Sequence, residues 1–501
     1  MDLVSNLALG FGVALSLSNL FYCFIGVFVG TAIGVLPGVG PLVTIAVLLP
    51  LTFGLPPEGA MIMLAGIYYG AAYGGSTTAI LVNLPGEASA AVTCLDGYQM
   101  ARQGRAGAAL AIAAIGSFVA GCFGTVLIAL FAPPLTQLAL KFGAPEYFSL
   151  VLLSLMTTAV LVRGSMIKGI AASVLGVMFG LVGVDVTSGV ERYTFGLPRL
   201  MDGIEFVVVA MGLFALTEIV QNLEQGENRE VFTSKVKSLW PTRDDLKRSW
   251  APILRGTAIG SFFGILPGAG ATISSFAAYA VEKKVSKHPE KFGTGMIEGV
   301  ASPESANNAS SQGSFIPTLT LGIPGSAVMA LMLGALMIQG ITPGPRILTS
   351  HPDLFWGLVV SMWIGNLMLV ILNLPLVGLW VSMLKIPYRW LFPIIMTFSC
   401  IGIYVVNFSA IDIWLLVFFG VAGYIFTKLG IESAPFILGF LLGPMLEENF
   451  RRSMLLSRGS LGIFISKPIS AGLLAVACAV LVMMLVPSIR KKTEKAIEEN
   501  G

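Results

Sequence analysis

The sequence predicts an all-α polytopic membrane protein of roughly 11–14 membrane segments, arranged as two inverted-topology repeats with Pro-Gly-broken helices or re-entrant hairpins. Three observations carry that reading. Of 501 residues, 55% are hydrophobic and only 11% charged, against about 25% charged in an ordinary soluble domain, so too few charges exist to cover soluble surfaces. Apolar runs of bilayer length recur along most of the chain. A Gly-rich motif ending in Pro-Gly occurs twice, once in each half.

The elements follow in order. Uninterrupted apolar stretches are Leu7–Val29, Ala106–Leu130, Tyr147–Val162, Ile167–Val184, Ile204–Val220, Phe355–Leu384, Leu391–Val406, Ile413–Phe426, Ala434–Leu446 and Leu461–Val486. Four more, Gly30–Phe53, Ala60–Leu84, Ala251–Val281 and Gly313–Ile338, are interrupted by Gly or Pro. No Lys or Arg precedes Arg102, so the basic n-region of a cleavable signal peptide is missing and the first apolar stretch is expected to stay as a helix. The polar stretch Gln221–Ser249 is too short for a nucleotide-hydrolysing domain, and the Gly-Lys dipeptide of a phosphate-binding loop never occurs. ATP bound to this chain therefore drives nothing. A net charge of +3 leaves no footprint for nucleic acid. Cys23, Cys94, Cys122, Cys400 and Cys478 lack ligand spacing and read as free core thiols, and two distant histidines, His288 and His351, make no zinc or haem site.

Placing Arg102/Arg105, Arg163/Lys168, Gln221–Ser249 and the basic tail Arg490–Lys495 in the cytoplasm lets the spans between the first three alternate consistently. One loop, Glu447–Lys467, then falls outside despite Arg451, Arg452, Arg458 and Lys467.

The duplication is in register. Gly26–Gly40 (GVFVGTAIGVLPGVG) and Gly256–Gly270 (GTAIGSFFGILPGAG) share seven of fifteen residues at an offset of 230. A second pair, Gly74–Gly86 (GGSTTAILVNLPG) and Gly313–Gly325 (GSFIPTLTLGIPG), follows at an offset of 239. The loop Gly54–Glu58 has no basic residue, whereas its counterpart near Lys283–Lys291 is rich in them, and the bias reverses after the second motif. Opposite charge bias at equivalent places argues for opposite orientation. The division expected from this is a first repeat over 1–230, a second over 231–460, and an additional C-terminal helix with basic tail over 461–501.

Glycines 26, 30, 34 and 38 step by four and share one helix face, which alone serves close helix packing. The Pro-Gly ends do more. They stop a helix at membrane depth, where unwound backbone is tolerated only if buried or lining a cavity, and helix starts beyond them offer free N–H groups to an anion. Candidate substrate-binding positions are therefore Pro37, Gly38, Val39, Gly40, Pro267, Gly268, Ala269 and Gly270, with Ser76, Thr77, Thr78, Asn307, Asn308 and Ser314 as neighbouring polar groups. Carbonyls freed by the same breaks suit Na⁺. Glu218 and Glu304 are intramembrane carboxylates and so candidates for cation binding or proton coupling; Asp412 and Glu447 fall closer to segment ends and read as solvated. The Ser-x-x-Lys pairs Ser165–Lys168 and Ser234–Lys237 read as chance matches.

At these residues the chain resembles the large membrane subunit of the tripartite tricarboxylate transporters. The resemblance rests on GTAIGVLPGVGPL (Gly30–Leu42), YGGSTTAILVNLPGE (Tyr73–Glu87), DGYQMARQGRAG (Asp96–Gly107), GILPGAGATISSFAAYAVEK (Gly264–Lys283), PESANNASSQGSFIPTLTLGIPGS (Pro303–Ser326) and LGFLLGPMLEENFRRS (Leu438–Ser453). It implies a cation-coupled importer of organic carboxylates, citrate-like or related, in a bacterial inner membrane, with the C-terminus cytoplasmic. Its partners would be a small membrane subunit and a periplasmic solute-binding protein. It implies no cofactor, Na⁺ or H⁺ as coupling ion, and no enzymatic activity. The rival readings are a passive organic-anion channel and a membrane-embedded hydrolase.

Overall fold

The structure is a computed structural model that describes residues 3–36, 39–160, 165–185, 188–225, 239–266, 270–383 and 388–485. Most of them are helical; the strands among them are one hairpin, Gly183–Val184 paired antiparallel with Glu191–Arg192. The chain opens with α1 (Leu3–Ala14), α2 (Leu17–Gly34), α3 (Pro41–Leu48), α4 (Pro57–Val82), α5 (Ala91–Arg102) and α6 (Ala106–Ala139). Next come α7 (Ala144–Val160), α8 (Met166–Gly180) and α9 (Phe206–Ala210), the last running through a π turn (Met211–Leu216) into α10 (Thr217–Gln225). The second half has α11 (Arg243–Ile265), α12 (Gly270–Val285), α13 (Glu298–Gly313), α14 (Phe315–Leu321), α15 (Ala327–Ile338), α16 (Ile347–Ser350), α17 (Pro352–Asn373), α18 (Val377–Met383) and α19 (Tyr388–Asn407). It ends with α20 (Ala410–Lys428), α21 (Ser433–Leu456), α22 (Ile463–Ser466) and α23 (Pro468–Leu485). Five helices among the described residues are long and apolar enough to cross a bilayer: α2, α6, the α9–α10 rod, α17 and α20. The chain is an all-α polytopic membrane protein.

It divides into two compact units, one of Met1–Thr136 with Glu218–Ser399, the other of Gln137–Thr217 with Cys400–Gly501. Each unit thus takes one stretch from each half of the sequence.

In the first unit, Gly26, Gly30 and Gly34 of α2 lie on the backbone of α4 at Met63, Ile67 and Ala71. A Cβ on Gly30 would sit 2.5 Å from the Ile67 carbonyl oxygen, closer than a side-chain carbon tolerates. The second half repeats this crossing: Gly256, Gly260 and Gly264 of α11 lie on Ser302, Ala306 and Ser310 of α13, with a Cβ on Gly264 2.6 Å from the Ser310 oxygen. The glycines are related by 230 positions and their partners by 239, the offsets of the two repeated motifs. The helices after the crossings end alike as well. Asn83 (φ 58°) stops α4 and Gly322 (φ 71°) stops α14, both left-handed and again 239 apart, and a Leu/Ile-Pro-Gly turn follows each.

Four expected segments differ. Phe355–Leu384 is two helices, because α17 ends at Asn373 and the chain resumes as α18 only after Pro375. Leu7–Val29 is two helices, because Ser16 caps α2 by accepting from Asn19 N while Asn19 Nδ2 donates to Val13 O at 2.9 Å; hydropathy does not register such a cap. Ala60–Leu84 is uninterrupted as α4, since Gly66, Gly70 and Gly74 are spent on approach to α2 rather than on a break. Leu461–Val486 is split by Pro468 into a short turn and α23. Of the five cysteines, Cys23 and Cys94 are buried, whereas Cys478 is exposed on α23 and is no core thiol.

The second unit is tied by α8 on α21, where Gly176 and Gly180 meet the backbone of Phe436 and Phe440. Lys168 Nζ donates to Leu429 O, joining the start of α8 to the end of α20. At the other end, Arg192 and Arg451 alternate with Asp185 and Glu447 in a ring of ion pairs, each 2.7–2.9 Å. The basic loop after α21 therefore shares an end with the hairpin that follows α8. Asp412, expected to be solvated, is fully buried and paired with Arg199 at 3.1 Å, and Glu447 is held in the ring. Arg192 of the hairpin meets Glu447 and Arg199 of the turn that follows meets Asp412, pairings no local pattern announces.

Gly30→Leu should destabilise the protein by about 1–3 kcal/mol, the usual cost of overpacking, whereas Gly12→Leu, which meets nothing within 4 Å, should be neutral. Thermal unfolding of both variants in detergent reads the difference, and equal melting points would contradict the backbone crossing.

Candidate functional site

The described residues flanking both Pro-Gly motifs show interrupted helices. α2 stops at Gly34, Gly40 is extended, and α3 starts at Pro41 with no side chain capping its first turn. α11 stops at Ile265, Leu266 is extended, and Gly270 opens α12 at φ 61°. Val39, Gly40 and Gly270 are thus at helix starts; Pro37, Gly38, Pro267, Gly268 and Ala269 lie outside the described residues. Each interruption faces the Pro-Gly turn that ends the following hairpin. A Cβ on Gly40 would lie 3.0 Å from Gly86 O, and one on Gly325 would lie 3.7 Å from Gly264 O. Thr78 Oγ1 donates to Val35 O at 3.0 Å, so α4 satisfies a carbonyl that the break leaves without a helical partner.

Between these breaks the polar residues converge. Glu304 of α13 is buried, and its two carboxylate oxygens accept from Ser76 Oγ (2.7 Å) and Thr93 Oγ1 (2.5 Å), both contributed by the first half. Glu87, directly after the first Leu-Pro-Gly turn, accepts from Ser89 Oγ (2.5 Å) and Asn307 Nδ2 (2.9 Å). Asn308 Nδ2 donates to Ser117 Oγ of α6 (2.7 Å) and to Glu304 O. Among the described residues neither carboxylate has a Lys or Arg partner. Beside Glu304 is a cavity of about 20 Å³ that includes Tyr73, Ser76, Thr77, Ser117 and Asn373 in its wall.

The candidate residues do not all gather here. Ser76, Asn307 and Asn308 join the acidic centre, and Thr77 lines the cavity. Thr78 serves the break at Val35, and Ser314, at the junction of α13 and α14, donates to Ser311 O, against Gly325. Glu218 is not among the groups around Glu304; it takes a hydrogen bond from Asn222 at 3.3 Å. Lys168 is engaged with Leu429 O, and Ser234–Lys237 lies outside the described residues.

Sequence reasoning missed Glu87, Thr93 and Asp96. Glu87 carried a signal in its place right after Pro-Gly. Asp96 is fully buried: Oδ1 accepts from the backbone N–H groups of Gly293 (2.9 Å), Gly295 (2.8 Å) and Met296 (2.8 Å), and Oδ2 from Tyr279 Oη (2.9 Å). It pins the turn entering α13 to α5, and so sets the height of Glu304 against Thr93. Free N–H groups at the helix starts suit an anion, and clustered carboxylate, hydroxyl and amide oxygens suit a hard cation.

The profile described as "Tripartite tricarboxylate transporter TctA family" matches residues 20–438. The chain is 56% identical over 499 residues to an uncharacterized 52.8 kDa protein in the TAR-I ttuC' 3' region of Agrobacterium vitis, covering 100% of this chain and 99% of that protein. It is 55% identical over 241 residues to an uncharacterized protein in the TAR-II ttuC' 3' region of the same organism, covering 48% of this chain and 100% of that protein. No solved structure matches the chain.

Asp96→Ala would strand the buried Met296 donor, at about 1–3 kcal/mol before relaxation, and would release the partly exposed donors of Gly293 and Gly295 at smaller cost. Hydrogen exchange should show the amides of Gly293, Gly295 and Met296 losing protection first; unchanged protection there would contradict the anchoring role.

Proposed function

We propose that this chain, which belongs to the tripartite tricarboxylate transporter TctA family, is the large membrane subunit of a secondary importer of organic carboxylates driven by a cation gradient, with Na⁺ as the coupling ion. The observation that carries the proposal is the pair of interrupted helices at Leu36–Gly40 and Leu266–Gly270, each backed by a Pro-Gly turn. Broken helices at equivalent points of two halves are the usual construction of a substrate site in secondary transporters. The carboxylate binds at the helix starts from Val39–Gly40 and Gly270, where N–H groups and the helix dipole stabilise negative charge without a buried Arg. Pro37, Gly38, Pro267, Gly268 and Ala269 are further candidate positions of the same site, and Asn307 and Asn308 offer side-chain amides. The two halves are inverted in orientation, as the charge bias of their loops supports.

The importer works in a bacterial inner membrane with a small membrane subunit and a periplasmic solute-binding protein that delivers the acid. Its C-terminus is cytoplasmic, and the ends of α8 and α21 that share the Arg192–Glu447 ring face the periplasm. The engagement of Lys168 with Leu429 O supports a transporter over a Ser-Lys hydrolase.

The test is uptake of labelled citrate and related carboxylates by vesicles that hold this chain and its small partner, with the binding protein added or withheld. Accumulation above equilibrium under an imposed Na⁺ gradient, dependent on the binding protein, is expected. Gly40→Val, which presses on Gly86 O, should lower uptake at least about tenfold, a barrier change of about 1.4 kcal/mol, with folding unchanged. Accumulation under a pH gradient alone would reassign the coupling ion to H⁺. Equilibration without accumulation would overturn the importer in favour of a channel.

A further inference from the structure

The cavity beside Glu304 is lined by oxygen atoms whose hydrogen-bonding capacity is unequally used. Ser76 Oγ donates to Glu304, and Thr77 Oγ1 donates to Tyr73 O. Ser117 Oγ accepts from Asn308. Asn373, which lines the cavity, commits Nδ2 to Leu369 O at 2.9 Å and leaves Oδ1 without a hydrogen-bond partner; the residue is 7% exposed. The Tyr73 hydroxyl, on a residue 5% exposed, has the Ser117 side chain as its polar neighbour and makes no hydrogen bond of good geometry. A buried acceptor without a donor is costly, and so is a buried carboxylate with no positive partner. Both costs are at the same place, and the apolar part of the wall, Ile80, Leu110, Ala113, Ala114, Leu374 and Val377, offers no positive charge to relieve them.

A volume of about 20 Å³ admits one water-sized particle and no organic acid. Carboxylate, hydroxyl and amide oxygens are hard ligands, suited to small alkali or alkaline-earth cations. One carboxylate neutralises one charge. We infer that this cavity is a site for a single dehydrated Na⁺, held by the Glu304 carboxylate, Asn373 Oδ1 and the hydroxyls of Tyr73 and Ser76. The assignment rests on the proposed cation-coupled transport and places the ion apart from the helix starts that take the substrate. Ser76 and Thr93 reach Glu304 from the first half, while Asn307 on the next turn of α13 reaches Glu87 beside the Pro-Gly turn. A cation on Glu304 therefore bears on the turn that backs Gly40 without touching the acid.

The test is binding of radiolabelled Na⁺ to the purified full-length chain in detergent, with no carboxylate present, and with K⁺ as competitor. Saturable binding that K⁺ displaces poorly is expected. Glu304→Gln, which keeps size and polarity, and Asn373→Leu, which removes the unpartnered oxygen, should each weaken it about tenfold or more, the scale on which supporting groups of a metal site act. Size-exclusion profiles identify any variant that misfolds, and either variant alone is then sufficient. Binding that survives in a folded Glu304→Gln or Asn373→Leu protein, or no saturable binding to the wild type, would overturn the site. Uptake in the same preparation separates the two claims: uptake without Na⁺ binding removes this site and leaves the importer, whereas Na⁺ binding without uptake removes the importer and leaves the site.

Discussion

Two helices can touch backbone to backbone only where neither carries a side chain between them. At Gly26, Gly30 and Gly34 against α4, and at Gly256, Gly260 and Gly264 against α13, that condition is met over three successive turns. Between apolar helices in lipid no hydrophobic driving force remains, so association rests on such close packing. The crossings also fix what comes after them. Because Gly34 and Gly264 are the last helical glycines of their faces, each chain leaves its helix while still pressed on its partner; Val35, Leu36 and Val39 beside the first interruption are buried, whereas Ile265 and Leu266 at the start of the second are exposed.

From that common frame the halves diverge. Ala65, Tyr68, Tyr69 and Ala72 of α4 stand where α13 has Glu304, Asn307, Asn308 and Ser311, 239 positions on. The frame requires small residues on only one side of α13, so its other side is free to carry polar groups. Those groups find their partners in the first half: Ser76 and Thr93 for Glu304, Glu87 for Asn307. The acidic centre is therefore a joint product of both halves, and Asp96, by holding the turn at Gly293–Met296, sets where one half meets the other.

Much of this was legible in the sequence. A four-residue glycine spacing states a helix face, and Pro-Gly states where that face ends, because both signals are local. Glu304 and Ser76 were legible as polar residues in apolar surroundings. Their contact was not, since 228 positions separate them, and Thr93 and Asp96 looked ordinary because their partners lie 211 and about 200 positions away. Local charge also misled at Asp412, whose burial depends on Arg199 arriving from another loop. At Ser16 a single cap hydrogen bond divides an apolar run that hydropathy joins.

Under the proposed function, the two helix interruptions together form the carboxylate site. In a variant lacking Cys23, Cys94, Cys122, Cys400 and Cys478, single cysteines at Val39→Cys and Ala271→Cys report on the first turns beyond each break. Modification of these thiols by a small water-soluble reagent would be followed in transport-competent vesicles, with and without citrate and Na⁺. Both sites should react, and substrate should slow both reactions. Undiminished labelling at both positions, under conditions in which the same vesicles accumulate the acid, would contradict this assignment.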